Sequence, residues 1–302
     1  MGEHNKNLSD DYLHEPDERL KWRESYYFNW VDYENKLSGF STLGIVPNEK
    51  KREFVFILFI DNKREVYYRE PELENYIQSE IDNMLSDKKL SYKIITPLEE
   101  WEIKYNSRKY NFEIEFKNRH EPYYFGKDSS ASWHQHFESS GIITGSLLLR
   151  NGEKFNINCY GQRDKSWGYR DWHQFEKWYA GHFQFDDWSS GFRKDYLKGR
   201  VEVSGYIWNG STTIPLKDVK IEVKYDKDAF NSPLITDYLL IDKNGNKHNI
   251  QAERMANNSF MRFAREFEDG YTELFEQMAI MTDKDTGKVG TGMSEELRTK
   301  FS

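Results

Sequence analysis

Two short stretches hold most of the side chains that could do chemistry. In Ser132-Trp133-His134-Gln135-His136-Phe137-Glu138, a strand would set His134, His136 and Glu138 on one face at a period of two. Two imidazoles and a carboxylate can ligate a divalent ion. At the rise of a strand, however, these three positions spread over about 13 Å, too far to share one ion unless the strand bends. No metal is expected, and Trp133, His136 and Glu138 are read as polar or aromatic lining of a binding cavity. The second stretch, Tyr160 to His173, packs two Arg-Asp pairs, Arg163-Asp164 and Arg170-Asp171, among Trp167, Tyr169 and Trp172, with Gly161 and Gly168 available for tight bends. A carboxyl group there is pulled both ways, since desolvation by rings raises its pKa and a neighbouring guanidinium lowers it. Asp164, and after it Asp171, could therefore serve as a general acid oriented by Arg163 and Arg170. The alternative is a structural Arg–Asp network that locks a loop.

The elements that must position these groups read as antiparallel strands. Tyr26 to Tyr33 alternates, with Tyr26, Phe28, Trp30 and Asp32 on one face and Tyr27, Asn29, Val31 and Tyr33 on the other. Ser38–Val46 and Glu53–Ile60 follow, the latter apolar enough to be buried on both faces. Trp101–Tyr105 and Tyr110–Phe116 read as a hairpin turning at 106–108. Asn-Gly pairs at 151–152, 209–210 and 244–245 mark further hairpins. The periodicity of Leu73, Ile77, Ile81 and Leu85 predicts a helix over 72–87. Some fifteen to eighteen strands exceed what one barrel of about eight strands holds. Residues 1–20 are read as a flexible N-terminal arm, 21–130 as one β domain and 131–302 as a second, with the junction in the Pro- and Ser-containing stretch 119–132.

Composition agrees. Of 302 residues, 16% are aromatic against 37% hydrophobic in all, and alanines number only seven, which favours sheet over helix. No apolar stretch approaches the roughly 18–20 residues of a membrane-spanning helix. A net charge of -8 with interspersed signs argues against nucleic acid or an anionic membrane as partner. The single Cys159 and the polar start of the chain are read as cytoplasmic. Oligomeric state is not legible.

Gly161-Gln162-Arg163-Asp164-Lys165-Ser166-Trp167-Gly168-Tyr169-Arg170 resembles the G-x-R-D-H-S-W-G-x-R signature of the lipocalin-like superfamily that includes carotenoid 1,2-hydratase and the AttH-type proteins. The order of Trp22, Tyr27, Phe28 and Asn29, then 44–48, then Pro97 to Trp101, then His136-Phe137-Glu138, and finally Thr291 to Glu296 as a closing strand, extends the likeness over about residues 20–300. Lys165 stands where the pattern has His. The resemblance implies an all-β chain of two tandem lipocalin-like barrels or sandwiches, with a ligand cavity at or near their junction. It also implies cofactor-independent hydration, isomerisation or cyclisation of a hydrophobic, isoprenoid-like molecule, with an acidic residue protonating an alkene. Aromatic rings would stabilise the cation so formed. On this reading Asp164 is the acid, Asp171 the second choice, and Trp133, Trp167, Tyr169 and Trp172 line the cavity. Two other functions are compatible with the sequence: a carrier that binds a lipophilic molecule without reaction, and a carbohydrate-active protein using paired carboxylates.

Overall fold

The computed structural model describes residues 7–60, 62–129 and 133–301. It is all-β, with two antiparallel sheets and one short helix. Its strands are β1 (Trp22–Asp32), β2 (Leu37–Val46), β3 (Lys51–Ile60), β4 (Lys63–Arg69), β5 (Leu90–Thr96), β6 (Glu100–Asn106), β7 (Tyr110–Asn118), β8 (Tyr123–Ser129), β9 (Trp133–Leu149) and β10 (Lys154–Tyr169) in the first sheet. The second sheet holds β11 (Phe175–Gln184), β12 (Ser189–Leu197), β13 (Arg200–Trp208), β14 (Thr213–Asp226), β15 (Ser232–Asp242), β16 (Lys247–Arg254), β17 (Phe260–Phe267), β18 (Gly270–Asp283) and β19 (Val289–Phe301). Two compact units result, one ending at Arg170 and the other running from Asp171 onward, with the described residues of 59–64 grouped with the second. The 130/131 boundary expected from sequence falls on residues outside the described ones. The flanking strands β8 and β9 both belong to the first unit.

In the first unit the order is β4-β3-β2-β1-β10-β9-β7-β6-β5, with β8 added on β9. Alternation fixes its faces: in β7, Phe112, Ile114 and Phe116 are buried while Glu113, Glu115 and Lys117 face solvent. Aliphatic residues are scarce, so rings fill the concave face. Trp30 lies 4.9 Å from Phe112, and Phe56 stacks on Tyr105 at 4.2 Å. The hairpin at 106–108 and the faces of β1 are as the alternation requires. Three Asn-Gly turns join β9 to β10, β13 to β14 and β15 to β16.

Two expectations need correction. Helix is confined to a 3-10 turn at Gln78–Glu80 and one α turn, α1 (Ile81–Met84). The apolar stripe has no partner along its middle, because Leu73 and Leu85 are buried whereas Ile77 is 37% exposed. Nor is the stretch before β1 a loose arm throughout: among its described residues, Leu8–Asp11 forms a 3-10 turn and Asp11 is completely buried.

The second unit closes on itself. The strands β11 to β16, β18 and β19 pair in a ring through the β16–β18 contact, and β17 hangs on the outer side of β18. Phe183, Phe192, Ile207, Val219, Leu240 and Met281 fill the interior of that barrel.

Candidate functional site

Strand periodicity splits the Arg-Asp signature between two faces of β10. Arg163, Lys165 and Trp167 point to the concave side with Phe28, Tyr26 and Glu24, their cross-strand partners on β1. Asp164 and Ser166 point to the opposite side. Adjacent residues on a strand cannot pair side chains across it, so Arg163 does not orient Asp164. Instead its guanidinium grips the Asp11 carboxylate with both Nη atoms, Nη1 at 3.2 Å from Oδ2. Asp11 Oδ2 also accepts from the Leu98 amide at 2.6 Å and from Trp101 Nε1 at 3.0 Å. The Arg163 guanidinium lies 5.2 Å from the Trp101 ring centroid and 5.1 Å from that of Phe137. Two opposite charges out of water are tolerated here because every strong donor around Asp11 converges on it.

Next along the same face, Lys165 pairs with Glu24, and both side chains are fully buried. Burial pushes the Lys165 ammonium down to about 7, against the pull of the Asp11 and Asp10 carboxylates. The other Glu24 oxygen accepts from the His14 amide at 2.6 Å and meets His14 Nδ1 at 2.9 Å. The His14 ring stacks on Trp167 at 3.7 Å with an interplanar angle of 6°. Burial, aided by Lys165 and His134, lowers His14 to about 3, so its imidazole is neutral and Nδ1–H donates to Glu24. The family pattern's His is thus replaced by an amine that holds a carboxylate inside the core. Arg163, Lys165 and Trp167 thus lie in one buried network with Asp11, Glu24 and His14, and not in one between the stretch's own Arg-Asp pairs.

The opposite face of β9, β10 and β1 is also buried and is polar. Glu138 accepts from Gln162 Nε2 at 2.5 Å, and its other oxygen lies 3.4 Å from His136 Nε2. His136 stacks on Phe125 and meets Trp133 edge-on, each at 4.6 Å between centroids. Asp164, half-buried, shares this face in register with Tyr27 and Glu138. The structure therefore brings Trp133, His136, Glu138 and Asp164 to one surface, while His134 is exposed. Among the described residues no group of three or more His, Cys, Asp or Glu side chains is arranged to hold a metal.

The remaining residues expected from sequence fall elsewhere. Tyr169 is capped by the Arg19 guanidinium at 4.8 Å, and Arg170 donates from Nη2 to Ser166 Oγ at 2.9 Å. Asp171 is the N-cap of the 3-10 turn Trp172–Gln174, accepting from the His173 amide. Trp172 belongs to the second unit, edge-on to Trp178 at 5.7 Å.

A different pair of carboxyl groups carries more chemical promise. Glu276 on β18 and Glu295 on β19 are direct cross-strand partners on the outer face of the second barrel, and their carboxyl groups hydrogen-bond to each other. Burial holds the Glu295 carboxyl above its ordinary range. That rise is opposed by Arg193, by the Trp178 Nε1–H that donates to Oε1 at 2.5 Å, by His182 and by the hydrogen bond with Glu276. Glu295 is still partly exposed as a residue, whereas Glu276 and His182 are buried. Trp178 packs edge-on against Phe175 at 4.9 Å, and the Arg193 guanidinium covers its face at 4.0 Å. The result is a pair of hydrogen-bonded carboxyl groups, one of them raised by burial, flanked by rings, the combination expected at the Arg-Asp signature. Sequence reading singled out 291–296 as a closing strand and missed the pairing. The usable signal was a carboxylate interrupting an apolar row in each strand, Leu274-Glu276-Met278 and Met293-Glu295-Leu297.

The family described as "Domain of unknown function (DUF7064)" matches residues 7–300. No curated protein sequence matches the chain. Several solved structures share its fold. A putative AttH from Nitrosomonas europaea superposes with a TM-score of 0.68 at 11% identity, covering 98% of this chain and 97% of its own. CghA, solved with Sch210972, gives 0.66 at 9% identity, with 94% and 89% covered. Kievitone hydratase from Nectria haematococca gives 0.62 at 12% identity, with 92% and 89% covered.

Proposed function

We propose that this chain, which belongs to the DUF7064 family, is a cofactor-independent enzyme that protonates a carbon–carbon double bond of a hydrophobic, isoprenoid-like substrate and thereby hydrates, isomerises or cyclises it. The observation that carries this reading is the Glu276–Glu295 pair, two carboxyl groups in hydrogen-bond contact beside Trp178, with Glu295 shifted by burial toward its protonated form. In the forward step the pair delivers its proton to one alkene carbon, leaving a carbocation on the other and a carboxylate on the pair. Ring faces of the kind Trp178, Trp172 and Phe175 present stabilise such a cation. Water adding to the cation, or loss of a neighbouring proton, returns a proton to the carboxylate and completes hydration or isomerisation. Attack by a second double bond followed by that loss gives cyclisation. One protein of the same fold is named a hydratase, which is consistent with this class of chemistry.

Asp164 stays in the proposal as the first unit's carboxyl on the polar face shared with His136 and Glu138. The test is deuterium incorporation from heavy water into a panel of linear isoprenoid alkenes and alcohols. Glu295→Gln and Glu276→Gln are expected to abolish exchange and product while far-ultraviolet circular dichroism is unchanged. Full turnover by both variants, with loss only in Asp164→Asn, would transfer the acid role to Asp164. A lipophilic carrier is the second reading, favoured by the commitment of Arg163 to Asp11 and of Asp171 to a cap. On that reading alkenes bind and nothing exchanges. Carbohydrate cleavage is not supported by Glu276 and Glu295, because glycosidase carboxyls stand about 5–9 Å apart and these two are in contact.

A further inference from the structure

Three Asn-Gly pairs sit in exposed hairpin turns, at 151–152, 209–210 and 244–245. An asparagine followed by glycine holds an electrophile and a nucleophile side by side, its own side-chain carbon Cγ and the next backbone nitrogen, which no Cβ shields. Attack by that nitrogen closes a five-membered imide. In sequence the three pairs are equivalent for this chemistry; the fold separates them. The Gly152 amide donates to the Leu149 carbonyl at 3.0 Å, and the Gly245 amide to the Asp242 carbonyl at 3.0 Å. Among the described residues no hydrogen bond holds the Gly210 amide.

The electrophile is prepared at the same turn. Asn209 Oδ1 accepts from the backbone amides of Ser211 at 3.2 Å and Thr212 at 2.9 Å. It also accepts from Ser211 Oγ at 3.0 Å and Thr212 Oγ1 at 3.3 Å. Negative charge developing on this oxygen during attack meets donors already in place. Asn151 Oδ1 has the Glu153 amide as donor, at 3.0 Å, and the Asn244 side chain accepts no hydrogen bond among the described residues.

This turn also closes a weak seam. Among the described residues β13 meets β14 only at Tyr206–Pro215, Ile207–Ile214 and Trp208–Thr213, the pairs next to it. Beyond them a side chain from β12 makes a link to β14, Lys194 Nζ donating to Asp218 Oδ1 at 3.0 Å and to the Val219 carbonyl at 2.6 Å.

We propose that Asn209 is a self-modification site, converting to aspartate and isoaspartate faster than Asn151 or Asn244, and that its isoaspartate form loosens the β13–β14 seam. The Gly210 nitrogen gives up its proton to solvent and bonds to Asn209 Cγ, which places negative charge on Oδ1. Collapse of that intermediate breaks the Cγ–Nδ2 bond, and the leaving nitrogen takes up a proton and departs as ammonia. Water then opens the imide at either carbonyl, so asparagine and water give a carboxyl group and ammonia with no other reactant. Opening at Cγ gives ordinary aspartate, which keeps Oδ1 where its four donors converge. Opening at the main-chain carbonyl routes the backbone through Cγ, lengthens the turn by one atom and takes the acceptor away from them.

Peptide mapping by mass spectrometry tests this, on the full chain aged in mildly alkaline water enriched in oxygen-18, with isoaspartate located by electron-transfer fragmentation. In the folded chain Asn209 should convert about tenfold faster than the other two, the worth of one hydrogen bond on the attacking amide. In the urea-unfolded chain the three rates should converge. Ser211→Ala with Thr212→Val, which removes two of the four donors, should slow Asn209 and leave Asn151 and Asn244 unchanged. The modified chain, enriched by anion exchange through its added negative charge, should unfold its second unit at lower urea than wild type, whereas Asn209→Asp should unfold as wild type does. The proposal is overturned if Asn151 or Asn244 leads in the folded chain, or if Asn209 leads by the same margin in urea. It is also overturned if the double variant converts as fast as wild type, or if the isoaspartate-enriched chain unfolds at the wild-type midpoint.

Discussion

Removing the Asp11 carboxylate is the sharpest test of how the first unit is held together. Asp11→Ala strands the Arg163 guanidinium, which is 1% exposed and among the described residues has no other carboxylate in bonding contact. Breaking a buried ion pair from one side costs about 3–5 kcal/mol. The Leu98 amide and Trp101 Nε1–H also lose their acceptor, which adds about 1 kcal/mol or more. With a urea slope of about 2 kcal/mol per molar, the unfolding midpoint of the first unit should fall by roughly 2–3 M. Urea titration monitored by tryptophan fluorescence reads this, and the transition of the second unit serves as the internal reference. The paired change Asp11→Leu with Arg163→Met should be far milder than Asp11→Ala alone, because it leaves no uncompensated charge. A midpoint within a few tenths of a molar of wild type for Asp11→Ala, or a double variant worse than the single one, would refute the reasoning.

Glu295→Gln should eliminate alkene protonation without altering the fold, and retained turnover would remove the carboxyl pair from the mechanism. For His14, lowered to about 3 by burial, the folded state binds fewer protons than the unfolded chain between about pH 3 and 6.5. The stability held by its neutral ring is therefore complete above pH 6.5 and declines as the pH falls through that window. His14→Phe, which keeps a ring over Trp167, should lose less stability than wild type between pH 7 and pH 5; equal losses would show that another group titrates. Gly161→Ala would place a Cβ 2.3 Å from both the Asn29 carbonyl oxygen and Ile143 Cδ1, so destabilisation of about 1–3 kcal/mol is expected in thermal unfolding. A variant as stable as wild type would mean that the β1–β10 spacing can relax.

That glycine shows where local reading stops. As the head of the signature it looked like a bend, yet it lies within β10, opposite Trp30 on one side and Gly141 on the other, where only a hydrogen atom fits. Strand identity, strand faces and hairpin turns were legible because they depend on neighbours two residues apart and on Asn-Gly chemistry. The failed helix at 72–87 had the right period but nothing to pack its middle against, which no periodicity can reveal.

By itself the sequence determined an all-β chain of short aromatic strands and pointed to Arg163, Asp164, His136 and Glu138 as the places where chemistry could reside. Which charges meet was decided by the tertiary structure. Asp11 reaches Arg163 across 152 positions of chain, and Glu24 reaches Lys165 across 141. Glu276 and Glu295 hydrogen-bond to each other because the β18–β19 register sets them side by side. An ionisable group's behaviour follows from the charges and the water within a few ångströms of it. Only the fold fixes those, because residues remote in the chain supply them.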